Sequence, residues 1–179
     1  SISNGAQTLL IDADDTLWHN MRFFHETQDA LVAMVEPFAD AGIARAALEA
    51  CEIRNLKLFG YGAKAFTLSM IETALELGGD EVPSSVIRGI LEAGKALHAH
   101  PVELFDGIED TLAALADRAR LVLVTKGDLF HQETKLAASG VGDFFSGIEI
   151  VSDKRPETFA GIFERYHAHP PSALMAGDS

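Results

Sequence analysis

Apolar positions in this chain follow two rhythms. Four short, mainly apolar runs, TLLI (8–11), LVLV (121–124), IEIV (148–151) and ALMA (173–176), are each bounded by polar residues. Runs of this length suit strands of a buried parallel sheet, although a short run by itself is also compatible with a buried piece of helix. Helical spacing separates the last three runs. DGIEDTLAALADR (106–118) sets Ile108, Leu112 and Leu115 on one face, and Asp106 with Glu109 resembles a capping box. DLFHQETKLAASG (128–140) ends at Gly140, a helix stop. PETFAGIFERYHA (156–168) opens with a proline suited to the first helical position and gathers Phe159, Ile162, Phe163 and Tyr166 on one face. Strands alternating with helices predict a doubly wound α/β sheet.

Residues 18–100 read differently. They contain no alternating strand pattern but several helical stretches: Leu31, Met34, Val35 and Phe38; Ala47, Leu48, Cys51 and Leu58; AFTLSMIETALEL; then Val86, Ile87, Ile90, Leu91 and Leu97. A connection this long is a unit of its own rather than a loop. The expected organisation is a doubly wound, Rossmann-like parallel-sheet core of residues 1–17 and 101–179, with an all-helical domain, 18–100, inserted after the first strand. Met34 and Met70 are expected to fill space in that helical domain.

Composition narrows the class. A chain of 179 residues with 47% hydrophobic content is long enough for one good core, or a core plus a lesser domain. A formal charge of −13 disfavours nonspecific nucleic-acid binding, since no basic surplus displaces counterions from phosphates. No apolar stretch approaches the roughly 20 residues needed to span a bilayer, and SISNGAQT lacks the basic-then-apolar order of a signal peptide. The single cysteine, Cys51, cannot form an internal disulfide and reads as a buried thiol. The expectation is a cytoplasmic protein with no nucleic-acid or membrane partner; its oligomeric state is open.

The chemistry lies just past the strands. LLIDADDTL (9–17) packs Asp12, Asp14 and Asp15 behind the first apolar run, where carboxylates repel unless a cation or phosphate organises them. In open parallel sheets, ligands bind outside the carboxyl ends of the strands. Beyond the first run stand Asp12 and Asp14, beyond the second Thr125, beyond the third Lys154 and beyond the fourth Asp178. Three carboxylates, a hydroxyl and an ammonium at one sheet edge form a set for magnesium and phosphate.

In this order the motifs resemble those of the haloacid dehalogenase superfamily of phosphohydrolases. Asp12-Ala13-Asp14-Asp15-Thr16 is similar to its first motif, LVLVTKGD with Thr125 to its second, VSDKRPETF with Lys154 to its third, and MAGDS with Asp178 to the start of its fourth. The insertion is similar to the family's cap. The resemblance implies a Mg²⁺-dependent phosphohydrolase acting on a small phosphorylated metabolite. Asp12 would be the nucleophile, forming an aspartyl-phosphate, and Asp14 the general acid and base. Thr125, Lys154 and the amides after Asp12 would bind phosphate. The metal would be held by Asp12, the backbone carbonyl of Asp14, and Asp178. Asp15 would be structural, and Thr16 would fix the loop. A cap closing over the core would carry specificity; Lys64 and Tyr61 of FGYGAKAF (59–66) are candidate substrate contacts, against an ordinary surface role for Lys64, and His19, Arg22 and His25, close behind the first motif, are candidates to line the cleft. Lys126, where many relatives carry asparagine, would also touch substrate. The fourth motif usually continues to a further acidic residue, so the natural protein is expected to continue past Ser179 with that residue and further sheet.

Competing readings are a phosphomutase using the same residues, a haloacid dehalogenase, a receiver-like phosphoacceptor and a noncatalytic binding relative. Receiver domains lack a long insertion after the first strand, and dehalogenation needs no acid for an alkoxide. The two HAHP segments (98–101 and 167–170) fall where predicted helices end. They fit helix termination, where the dipole favours histidine, better than metal binding.

Overall fold

The four apolar runs form four strands. The computed structural model describes residues 7–168 and 173–177. The strands are β1 (Gln7–Asp12), β2 (Ala119–Thr125), β3 (Phe145–Ile150) and β4 (Ala173–Ala176). They make one sheet in the order β3-β2-β1-β4, all neighbours parallel. Register aligns the strand ends: Asp12 is opposite Val124, Thr125 opposite Ile150, and Ile11 opposite Ala176. The strand order reverses beside β1, which places the end of β1 at the switch point where open sheets leave a crevice.

Side-chain alternation divides the core between the two faces of the sheet. Leu9, Ile11, Leu121 and Leu123 pack on one face with Leu112 and Leu115 of α5 (Ile108–Ala116) and Leu136 of α6 (Leu129–Ser139). Leu10, Val122 and Val124 pack on the other with Phe159, Ile162 and Phe163 of α7 (Pro156–Arg165). Helices on both faces of a parallel sheet make this a doubly wound, Rossmann-like α/β fold. Helix α6 starts at an Asp128 cap whose Oδ1 accepts from His131 N, and it stops at Gly140 with φ 77°. Pro156 opens α7 as its spacing requires.

The chain divides into two compact units, residues 1–20 with 101–179, and Met21–His100. The second unit is helical in its regular structure: α1 (Met21–Val35), α2 (Ala41–Phe59), α3 (Ala63–Gly78) and α4 (Ser84–His98) surround Leu31, Val35, Leu48, Phe66, Met70 and Ile90. Burying side chains of this size is worth roughly 1.5–3 kcal/mol each. Residues 18–20 stay with the sheet. Trp18 is fully buried in the α/β core and bridges both Asp14 and Leu104.

Several local expectations are corrected. Helix α1 ends at Val35 because Pro37 disfavours helical backbone at the residue before it; Phe38 lies past its end and packs on the same cluster from there. Leu58, expected on the apolar face of α2, is 76% exposed, because the buried face turns through Ala44, Leu48, Cys51 and Asn55. The residues Asp106 and Glu109 make no capping box: α5 begins after Gly107, whose left-handed φ of 77° carries no side-chain cap. His98 closes α4, and the His100 ring stacks on Phe23 at 3.7 Å. Helix α7 ends at Arg165, and the last two residues of the second HAHP lie outside the described residues. Among the described residues no helix is long and apolar enough to cross a membrane.

Candidate active site

Strand β1 delivers Asp12 to the sheet edge, and the loop behind it is held locally. The Ala13 carbonyl accepts from Thr16 N and Leu17 N, and Asp15 N donates to the Trp18 carbonyl at 2.8 Å. Asp15 takes the left-handed conformation, φ 57°, that this tight turn demands and that aspartate tolerates better than most residues. Its Oδ1 accepts from Asn20 N at 2.9 Å, a structural task. Thr16 Oγ1 donates to Asp12 Oδ2 at 3.3 Å, so this threonine holds the aspartate itself as well as its loop.

Lys154 reaches the same carboxylate from the loop after β3. Its Nζ lies 2.6 Å from Asp12 Oδ1, with the two side chains only 9% and 5% exposed. Burying such a pair costs desolvation that its attraction barely repays, so it is weak as a device for stability and more readily understood as chemistry. The chain after β4 comes equally close. A Cβ on Gly177 would stand 2.6 Å from Asp12 Cβ, closer than any side chain tolerates. Only glycine lets the backbone pass there.

Asp14 is held by a different set. Trp18 Nε1 donates to its Oδ1 at 2.7 Å, Lys135 Nζ reaches the same oxygen at 2.8 Å, and Gln132 Nε2 donates to Oδ2 at 3.0 Å. Burial pushes the Asp14 carboxyl up, but the Lys135 charge and the hydrogen bonds from Lys135, Trp18 and Gln132 outweigh it and hold it below the usual range. Gln132 also donates to Thr125 Oγ1 and to the Lys126 carbonyl, each at 3.0 Å. A flipped amide would set its oxygen against the Asp14 carboxylate and the Lys126 carbonyl, so the donor orientation is the sound one. Thr125, buried at the end of β2, donates to the Lys126 carbonyl at 3.2 Å.

The structure therefore brings Asp12, Asp14, Thr125 and Lys154 to one edge of the sheet, with Lys126 half-buried beside them. Asp178 lies outside the described residues. Tyr61 and Lys64 belong to the helical unit, both exposed, Tyr61 in the turn between α2 and α3 and Lys64 in the first turn of α3. Of the residues expected around the cleft, His19 packs its ring against Phe105 at 4.1 Å, Arg22 lies over Phe23, and His25 is exposed on α1. Sequence reasoning missed Trp18, Gln132 and Lys135. The spacing of Gln132 and Lys135, three apart in the first turns of the helix after Thr125, was the available signal.

A family-level comparison matches residues 6–179 to the haloacid dehalogenase-like hydrolases. The chain belongs to this family. A haloacid dehalogenase-like family hydrolase from Xanthomonas campestris is 40% identical, over 100% of this chain and 76% of that one, with a TM-score of 0.92. A 2-haloacid dehalogenase from Pseudomonas syringae shares the fold at 17% identity, TM-score 0.62, over 97% of this chain and 78% of that one. A predicted phosphoglycolate phosphatase from Haemophilus somnus shares it at 16% identity, TM-score 0.58, over 98% and 78%. No match was found among curated proteins. Hydrolases of this family with such different named activities share one backbone, so the side chains at the sheet edge must decide the chemistry here.

Proposed function

We propose that this hydrolase cleaves a small phosphate monoester, with Mg²⁺ bound, through an aspartyl-phosphate on Asp12. The observation that carries the proposal is the separation of the two carboxylates: Asp12 is paired with Lys154, whereas Asp14 is held by Trp18, Gln132 and Lys135. Two carboxylates with different partners suit two roles, nucleophile and acid–base. In dehalogenation the halide leaves as a stable anion, and a second carboxylate braced in this way would have no proton to deliver.

An Asp12 oxygen attacks phosphorus, the bond from phosphorus to the leaving oxygen breaks, and that oxygen takes a proton from the Asp14 carboxyl. This carboxyl is ionised in the free protein and would take up that proton as the phosphate's negative charge arrives and offsets Lys135. Water then attacks the aspartyl-phosphate at phosphorus, giving its proton to Asp14 and releasing inorganic phosphate and the Asp12 carboxylate. Lys154 would offset the charge of the approaching phosphoryl group, and Thr125 at the end of β2 would donate to one of its oxygens.

The residues present fit Mg²⁺. This ion commonly keeps several waters and takes one or two carboxylates. The Asp12 carboxylate and the Asp14 backbone carbonyl are hard oxygens of the right kind, and the backbone at Gly177 passes close beside Asp12. Bound Mg²⁺ would supply positive charge to the phosphoryl oxygens.

A panel of phosphate monoesters assayed for phosphate release with Mg²⁺ and with EDTA tests the proposal. Release that needs Mg²⁺ is expected. Isomerised sugar phosphate without free phosphate would indicate a phosphomutase, chloride from 2-haloacids a dehalogenase, and either result in place of phosphate release overturns it.

A further inference from the structure

Helix α6 contributes to the site through side chains that lie 118 and 121 residues from Asp14 in sequence. Gln132 and Lys135 share one face of the helix, one turn apart. Lys135 is only 14% exposed, with its Nζ 5.1 Å from the centre of the Trp18 ring and 3.5 Å from Asn20 Oδ1 as well as against Asp14. A lysine buried to this degree is costly unless its charge is matched, and Asp14 is the carboxylate that matches it. Trp18 approaches the same oxygen of Asp14 from the loop side. Donors from two segments thus fix where the Asp14 carboxyl points, and of these donors Lys135 is the charged one.

We propose that Lys135 is a positioning residue for proton transfer by Asp14, and that Gln132 couples this position to the phosphate-binding end of β2. The proposal rests on the phosphohydrolase reading above. The two residues have different reach. Lys135 touches the Asp14 side of the site only. Gln132 touches Asp14, Thr125 and the Lys126 carbonyl together. Loss of Lys135 therefore frees the Asp14 carboxyl to turn away from the leaving oxygen, whereas loss of Gln132 also damages the holding of the phosphoryl group.

Substituted phenyl phosphates of similar size, from p-nitrophenyl to phenyl phosphate, separate these effects. A p-nitrophenolate leaves with little help from an acid, while a phenolate needs the proton more. Lys135→Met keeps the stem against Trp18 and removes the ammonium. In Lys135→Met, kcat/KM for phenyl phosphate should fall about tenfold further than for p-nitrophenyl phosphate, a tenth or less of what a general acid typically supplies. The plot of rate against leaving-group pKa should therefore steepen. Lys135→Arg, which restores a cation, should return the slope towards that of the wild type. Gln132→Met should lower kcat/KM across the whole series. A purely structural role for Lys135 would lower all members equally and leave the slope unchanged, and that result overturns the inference while wild-type phosphate release stands. A wild-type protein that hydrolyses no member of the series overturns the inference and the phosphohydrolase proposal together.

Discussion

At the carboxyl ends of β1 and β2 the α/β unit buries charge. Lys154 meets Asp12 almost fully buried, and Lys135 meets Asp14 half-buried. The helical unit buries polar groups of another kind. Asn55, Ser69, Thr73 and Cys51 lie between α2 and α3, all neutral: Asn55 Nδ2 donates to Ser69 Oγ at 3.2 Å, and Thr73 Oγ1 donates to the Ser69 carbonyl at 2.7 Å. Burial pushes the Cys51 thiol up, keeping it uncharged. Where that network reaches charge, it does so at its rim, through Glu72 at 2.8 Å from Asn55 and through Arg54, which pairs with Glu76 on the surface. Neutral groups lose little on burial when every donor finds an acceptor, and they fix the register of two helices. Buried ion pairs seldom repay their desolvation. On the proposed function, their place at one sheet edge is accounted for by what they do to a phosphate ligand.

The sharpest test of that contrast is Asp12→Asn, which should lower turnover at least about 10⁴-fold, a loss typical of an essential nucleophile. No phosphoenzyme should then be trapped in intact-mass spectra. A phosphorylated Asp12→Asn protein would remove Asp12 from its role. If the buried pair serves chemistry rather than stability, Asp12→Asn combined with Lys154→Met should shift the unfolding free energy by no more than about 1 kcal/mol, read from urea midpoints. A loss of several kcal/mol would instead make the pair structural.

In the helical unit the large effects should fall on stability. Leu48→Ala, at a fully buried position, should cost about 2–5 kcal/mol through lost transfer energy and the cavity left behind. Asn55→Ala comes next, at about 1–3 kcal/mol, because Ser69 Oγ loses its donor inside the unit. Urea unfolding measures both, and p-nitrophenyl phosphate turnover per folded molecule should stay near that of the wild type in each. Leu58→Ser should change stability by no more than about 0.5 kcal/mol, since that side chain is 76% exposed. A cost above 1 kcal/mol there would show that Leu58 is covered in solution.

Much of the candidate site was legible because its parts are local to strand ends. Asp12, Thr125 and Lys154 each follow an apolar run by a few residues at most, and parallel strands in register must carry those ends to one edge. The helices on both faces followed from the apolar spacing of Leu112 with Leu115, and of Phe159 with Ile162. The tighter features of the first loop were less visible. Asp15 gives no sign in the sequence of its positive φ, and Thr16 gives none of its bond to the Asp12 carboxylate.

What the sequence by itself determined is the set of segments that pack: strands recognisable as short buried runs, helices by their spacing, and an insertion too long to be a loop. Those properties depend on neighbours within a few residues, where apolar burial and backbone geometry leave few choices. Only the tertiary structure decided which side chains meet across the chain. Lys135 finds Asp14 through the angle at which α6 lies on the sheet, and Leu58 faces outward through the rotation of α2. Both are set by the packing of whole surfaces, and a change of one residue's rotation about a helix axis, about 100°, exchanges a buried position for an exposed one.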